Sequence, residues 1–207
     1  MPLQLVTPPA EEPVSLIEAK LHLRVDFDED DTLIASLITA ARQAAETLTG
    51  RQFITARWKL VLDCFPGSSA MGVPAGQSFS LPGHAILLPK VPVQSVVAIN
   101  YLDMAAVVQT LPASTYTVDA ACEPGRITPA FGQCWPNCLP QIGAVSVSFD
   151  AGYGTAAQVP EGIKSWIKLR VGSLYAHREE VAVLSRGRID HLPFIDGLLD
   201  PYKVAFV

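Results

Sequence analysis

The apolar residues of this chain change period twice, and those two changes constrain the fold more than any other feature of the sequence. In TLIASLITAARQAAETLTG, Leu33, Ile34, Leu37, Ile38, Ala41, Ala45 and Leu48 recur every three or four residues, which places them on one stripe of an amphipathic helix. Gly50 follows at the position where helices stop by turning left-handed. From Gln52 the repeat shortens to two, and ITARWKLVLDCF alternates as a half-buried strand does. After GAVSVSFDAG, in which Val145, Val147 and Phe149 share a face, the helical period returns. There EGIKSWIKLRVGSLYAHRE places Ile163, Trp166, Ile167, Val171 or Arg170, and Leu174 along a broad apolar face.

Between the two helical stretches lie short strand-like runs separated by turn residues. PGSSAMGVPAGQS is a loop, AILLPKVPVQSVVAINYLD gives a short strand, a proline-limited edge and a longer strand from about Gln94 to Leu102, and AAVVQTL and TYTVDA add two more. A loop with Pro124, Gly125, Pro129, Gly132 and Pro136 precedes the last strand. Connections this short have no room for helical crossovers, so the pairing is expected to be antiparallel. The fold class predicted is α+β: a helical bundle formed by N-terminal and C-terminal helices, with an inserted small antiparallel β-domain. The expected organisation is N-terminal helices over 1–52, the β-domain over 53–154, and a C-terminal helix with an extended arm over 155–207 completing the helical part.

At the front, Ser15 stands three residues before Glu18, the spacing of a reciprocal capping box, and predicts a short helix from about Leu16 to Leu23. DFDEDD then sets Asp26, Asp28, Glu29, Asp30 and Asp31 close together. A calcium loop of the EF-hand kind needs glycine at its sixth position and glutamate at its twelfth, and Asp31 and Leu37 stand there instead. The acids are better read as favouring the positive end of the helix that follows, with Asp30 or Asp31 as its cap.

Gly152 and Gly154, in FDAGYG, sit after a strand and before a helix, where phosphate-binding loops are found. The dinucleotide fingerprint needs a third glycine opening the helix within a parallel unit, and a P-loop needs Gly-Lys-Ser or Gly-Lys-Thr; neither occurs here. The two glycines therefore read as a structural hinge that turns the chain out of its sheet, with Pro160 near the start of the next helix, where its missing amide costs little.

Twenty acidic and 15 basic residues give a net charge of −5, which disfavours tight gripping of nucleic acid. Four cysteines, Cys64, Cys122, Cys134 and Cys138, are too few to staple 207 residues, and CWPNC lacks the spacing and companions of a zinc site. The N-terminus has no signal-peptide pattern and no window is long and apolar enough to span a bilayer, so neither secretion nor a membrane partner is expected. Neither metal nor cofactor is expected. His22, His84, His177 and His191 are dispersed without a hydrolase motif, which leaves a cysteine-dependent enzyme as a minor alternative. A ligand-binding or carbohydrate-binding β-module, stacking on Trp58, Trp135, Tyr101 and Tyr116, is the other.

The capped helix pair, the β-segment, FDAGYG followed by VPEGIKSWIKLRVGSLYAHRE, and the closing LPFIDGLLDPYK together resemble the head-to-tail connector, or adaptor, proteins of tailed double-stranded-DNA bacteriophages and gene transfer agents. The resemblance implies a non-enzymatic structural protein made in the bacterial host cytoplasm and located in the virion at the head-tail junction. It implies a homo-oligomeric ring that joins the portal protein to tail completion or stopper proteins, with double-stranded DNA passing non-specifically through its centre. A closed ring needs two different, complementary faces on each subunit. Residues 1–50 carry nine acids against three bases, and residues 160–207 carry six against seven. The subunit interface expected from this asymmetry sets Arg170, Arg178, Arg186 and Arg188 of one copy against Asp26, Asp28, Glu29 or Asp31 of the next. Residues from about 181 onward, including the short VAFV tail, are expected to form an arm that docks on a neighbouring protein.

Overall fold

Eight strands and three α-helices form among the residues that the computed structural model describes, which are 2–67, 84–177 and 197–204. The strands are β1 (Leu3–Thr7), β2 (Ala56–Leu62), β3 (Ile86–Leu88), β4 (Val93–Leu102), β5 (Val108–Thr110), β6 (Tyr116–Asp119), β7 (Gly125–Pro129) and β8 (Val145–Ala151). The helices are α1 (Leu16–Leu23), α2 (Asp31–Thr49) and α3 (Glu161–Ala176). Every strand pairing is antiparallel, as the short connections require. Five strands join in the order β1-β2-β8-β4-β5, and three in the order β3-β7-β6.

These pairings correct the expected fold class. The chain is a two-sheet antiparallel protein with three helices, not a helical bundle of N-terminal and C-terminal helices carrying a small inserted β-domain. The physical reason is β1. Leu3–Thr7 precedes every helix in sequence yet hydrogen-bonds along β2, from Leu3 opposite Leu60 to Thr7 opposite Arg57, so the sheet is not an insertion between helices. At the helical end, α1 is only eight residues long and has one fully buried side chain, Ala19.

The described residues divide into two units. Residues 2–8 and 55–152 form the β unit. Its core comes from alternate positions of paired strands: Leu60 of β2, Ile99 of β4, and Val145, Val147 and Phe149 of β8 are all at most 1 % exposed. Phe65 joins them, stacked on Trp135 at 5.0 Å between ring centroids and meeting Tyr101 edge-on at 5.6 Å. β7 lies inside the stretch expected to be loop, because Gly125 and Pro129 bound it; between them Ile127 is fully buried opposite Ile86 and Val118. On β2 and β8, Arg57 and Asp150 face each other across the ladder and pair through two hydrogen bonds of 2.8 and 2.9 Å.

The second unit, residues 9–54 and 153–204, holds all three helices. The Ser15 hydroxyl accepts from the Glu18 amide and the Glu18 carboxylate accepts from the Ser15 amide, so the capping box forms as read. That amide bond, followed by the Ser15 hydroxyl, holds the Glu18 carboxyl below the usual carboxylate range. α2 buries Ile34, Ile38, Ala41 and Ala45 against Ile163, Trp166 and Ile167 of α3. Three positions of the predicted stripe differ from the expectation: Leu48 is 52 % exposed, and Leu33 and Leu37 are only partly buried. Gly50 closes α2 left-handed at φ 73°, its amide donating to the Glu46 carbonyl.

A polar knot fixes the exit from α2. Glu46, 8 % exposed, accepts from Arg42 Nη1 at 2.8 Å, from Gln52 Nε2 at 2.7 Å and from the Phe53 amide at 3.1 Å, while Arg42 Nε also reaches Glu12 at 2.6 Å. Burial pulls the Arg42 pKa down, but the hydrogen bond to Glu12 and the charge of Glu46 more than offset it, leaving the guanidinium firmly cationic. Removing one member of such a pair strands the others' charge without a partner. Arg42→Met is therefore expected to lower unfolding free energy by about 3 kcal/mol in a denaturant titration, in line with other broken buried pairs; a loss under about 0.5 kcal/mol, the level of an ordinary surface change, would contradict it.

Candidate functional site

The glycine turn after β8 is built by backbone geometry. Gly152 has φ 136° and Gly154 has φ 123°, both in the region that L side chains rarely adopt. In the β unit, the Gly152 amide donates to the Pro92 carbonyl at 2.9 Å, and the Gly152 carbonyl accepts from Gln94 Nε2 at 2.9 Å. In the helical unit, the Tyr153 amide donates to the Phe53 carbonyl and Gly154 forms a parallel bridge with Ile54. A 3-10 turn over Ala156–Gln158 follows, with Thr155 and Gln158 in a capping box and the Ala156 amide donating to Glu11 at 2.7 Å. Pro160 is the N-cap of α3, and its carbonyl accepts from the Ile163 amide. The Gly152, Tyr153 and Ala156 amides thus donate to two protein carbonyls and a carboxylate.

The acidic loop before α2 is partly engaged within its own subunit. Lys20 Nζ bonds Asp28 at 2.6 Å and Asp31 at 2.7 Å. The hydrogen bond from Lys20 holds the Asp28 carboxyl below its usual range, and the bonds to Asp28 and then Asp31 raise the pKa of Lys20. Asp30 is the N-cap residue of α2 but makes no side-chain cap; its carboxylate accepts from the Tyr175 hydroxyl of α3 instead. Asp26 and Glu29 are exposed and have no ion pair among the described residues.

Of the expected interface arginines, Arg170 is exposed on α3, beside Trp166 at the border of the apolar face, and also has no ion pair among the described residues. Arg178, Arg186 and Arg188 lie outside the described residues. The same holds for positions 178 and 179 of the predicted helix, which is helical as far as Ala176. Most of the expected docking arm, residues 181–196, and the VAFV tail from Ala205 also fall outside. The part described differs from a free arm. Leu199 is buried in the helical core, Arg51 Nε donates to the Tyr202 carbonyl at 2.6 Å, and the Val204 amide donates to the Thr49 carbonyl at 2.9 Å.

The aromatic side chains considered for sugar stacking have internal neighbours. Trp135 stacks on Phe65 and its indole donates to the His84 carbonyl, Tyr101 and Tyr116 pack against the β core, and Lys90 lies 5.1 Å above the Trp58 ring. Cys64, Cys122, Cys134 and Cys138 are all free thiols. Among the described residues, no group of His, Cys, Asp and Glu is arranged to hold a metal, and no helix is long and apolar enough to cross a membrane.

Residues 13–101 match the family model of phage gp6-like head-tail connector proteins, which bears out the resemblance read from the sequence. The solved structures that this chain is similar to include one titled as the virion of a native gene transfer agent particle, at 23 % identity and a TM-score of 0.76. Another is titled as the neck of an empty gene transfer agent particle computed with C6 symmetry, at 23 % identity and 0.74. A third is titled as the neck of a native particle computed with C12 symmetry, at 22 % and 0.72. Each match covers 100 % of this chain and 97 % of the other, and establishes the shared fold. No curated protein sequence matches this chain.

The glycine turn yields a direct prediction. A Cβ on residue 154 would sit 1.8 Å from Gln158 Oε1, in a backbone conformation that alanine resists. Gly154→Ala is expected to destabilise the protein by about 1–3 kcal/mol in chemical denaturation, the usual cost of a non-glycine residue held in such a region. Unchanged stability would show that the turn readily adopts another conformation.

Proposed function

We propose, taking the phage gp6-like head-tail connector match of residues 13–101 as premise, that this chain is a structural subunit of the neck of a phage-like particle. Copies form a closed ring at the head-tail junction, between the portal protein and the tail completion or stopper proteins. Double-stranded DNA passes through the middle, and the chain performs no catalysis. The observation that supports this most is the coincidence of two independent likenesses: a connector-family segment in the sequence, and a fold shared end to end with chains from gene transfer agent necks and virions.

The physics of the chain suits that role. A conduit works best when it does not hold its cargo, because each neutralised phosphate adds salt-dependent affinity. A net charge of −5 provides no basic surface overall to hold the duplex. The glycines that first suggested a phosphate loop have a mechanical explanation in their positive φ angles, and the aromatics that suggested a sugar platform pack within the β unit.

Deleting the gene from the producing strain tests the function. Electron microscopy is expected to show DNA-filled heads and detached tails, with tailed particles restored by expressing the chain in trans. Normal tailed particles in the deletion strain would reject a connector role.

A further inference from the structure

We infer that the ring is closed by α1 of one copy docking into the cleft between α2 and α3 of the next copy. This rests on the ring reading above and specifies the two surfaces that make it.

The first surface is an apolar face with an acidic rim. Ile17 and Leu21 stand four residues apart on α1, so they share a face, and each is 79 % exposed. Phe27, in the turn that follows, is 49 % exposed. Beside it are Asp26 and Glu29, the two carboxylates of that loop with no ion pair among the described residues. Two large aliphatic side chains this exposed on an eight-residue helix suit a contact surface better than water.

The second surface is a cleft of about 270 Å³ lined by Ala44, Leu48, Trp166, Arg170, Leu199 and Lys203. It has what the first surface lacks. Leu48 is the member of the α2 stripe left 52 % exposed. Arg170 is an exposed cation without an ion pair among the described residues, and Lys203, which adds a second positive charge, bonds Asp200 at 2.7 Å. Trp166 is 3 % exposed, and its indole N–H has no hydrogen-bond partner among the described residues. An apolar face with an acidic rim on one copy thus meets an apolar cleft with a cationic rim on the next.

The geometry of α3 places the two surfaces as a ring requires. Gly172 of α3 lies against α1, where an added Cβ would come within 3.7 Å of His22 Nε2. Trp166 and Arg170 line the cleft. Residues two positions apart on a helix point about 200° apart, so Gly172 and Arg170 face opposite ways. α1 and the cleft therefore lie on different sides of α3, and a contact of one with the other repeats head to tail from copy to copy, as a heterologous interface must.

The test uses the full chain with exposed Cys64 and Cys134 changed to serine, carrying Leu21→Cys and Leu48→Cys together or singly, both at exposed positions. Particles from each variant are imaged for rings and then treated with a short bis-maleimide linker. The expected result is rings in every variant, with a ladder of linked subunits only in the double variant. Rings without that ladder would overturn the proposed docking while leaving the ring intact. A ladder that the single variants also give would overturn it equally, since the native thiols Cys122 and Cys138 would then account for the linkage. No rings from the parent chain, alone or with the portal of its particle, would overturn the docking together with the ring reading on which it rests. Occupation of the cleft by the chain's own C-terminal segment, which carries no cysteine, would appear as rings without the ladder, and would reject the proposal.

Discussion

The buried carboxylate of Glu46 decides how this chain passes from helix to sheet. An α-helix leaves its last carbonyls without partners, and the residues after it lose the helical ladder just as they enter the interior. Here one side chain from the final turn of α2 accepts from Gln52 and from the Phe53 amide, while Arg42, itself bonded to Glu12, balances its charge. Phe53 is thereby held fully buried, with its carbonyl accepting from the Tyr153 amide next to the glycine turn. A charge this buried is tolerated because its hydrogen-bonding capacity is met several times over. The same residues fix the backbone through Gln52 and Phe53, at the end of the helical unit's first segment.

Each unit then follows from local rules applied at a distance. In the β unit, period-two burial along β8 meets the buried positions of β2 and Ile99 of β4 to make one apolar face, and the Arg57–Asp150 pair sits on the other side of the same ladder. In the helical unit, α2 and α3 bury their stripes against each other and Leu199 returns to the same core. Ile17, Leu21 and Leu48 are large apolar side chains left outside these cores.

What the sequence made legible was local. The Ser15–Glu18 box spans three residues, and α1, α2 and the buried face of β8 follow from periods read within a dozen residues. What it hid depends on partners far along the chain. β1 shows no alternating burial and exists because β2, more than fifty residues later, offers it a ladder, so the β-structure was mistaken for an insertion and the fold class for a bundle. β7 was hidden by its flanking glycine and proline, although Ile127 between them is core. The acidic loop looked uniformly available for a neighbour. Lys20, on the preceding helix, engages Asp28 and Asp31, and Tyr175 engages Asp30, a division that only folded geometry reveals. Periodicity likewise placed Leu48 on the apolar stripe without showing that its own subunit leaves it half uncovered.

The central claim is that this chain closes on itself by a front-to-back contact and performs no chemistry. Native mass spectrometry of the purified chain, titrated with the portal protein of its own particle, measures this most directly. The account predicts one discrete multiple of the 22.2 kDa subunit that does not grow as concentration rises. A two-fold dimer as the terminal species, or a series that lengthens without limit, would contradict closure. A chain that stays monomeric at every ratio would contradict the account as a whole.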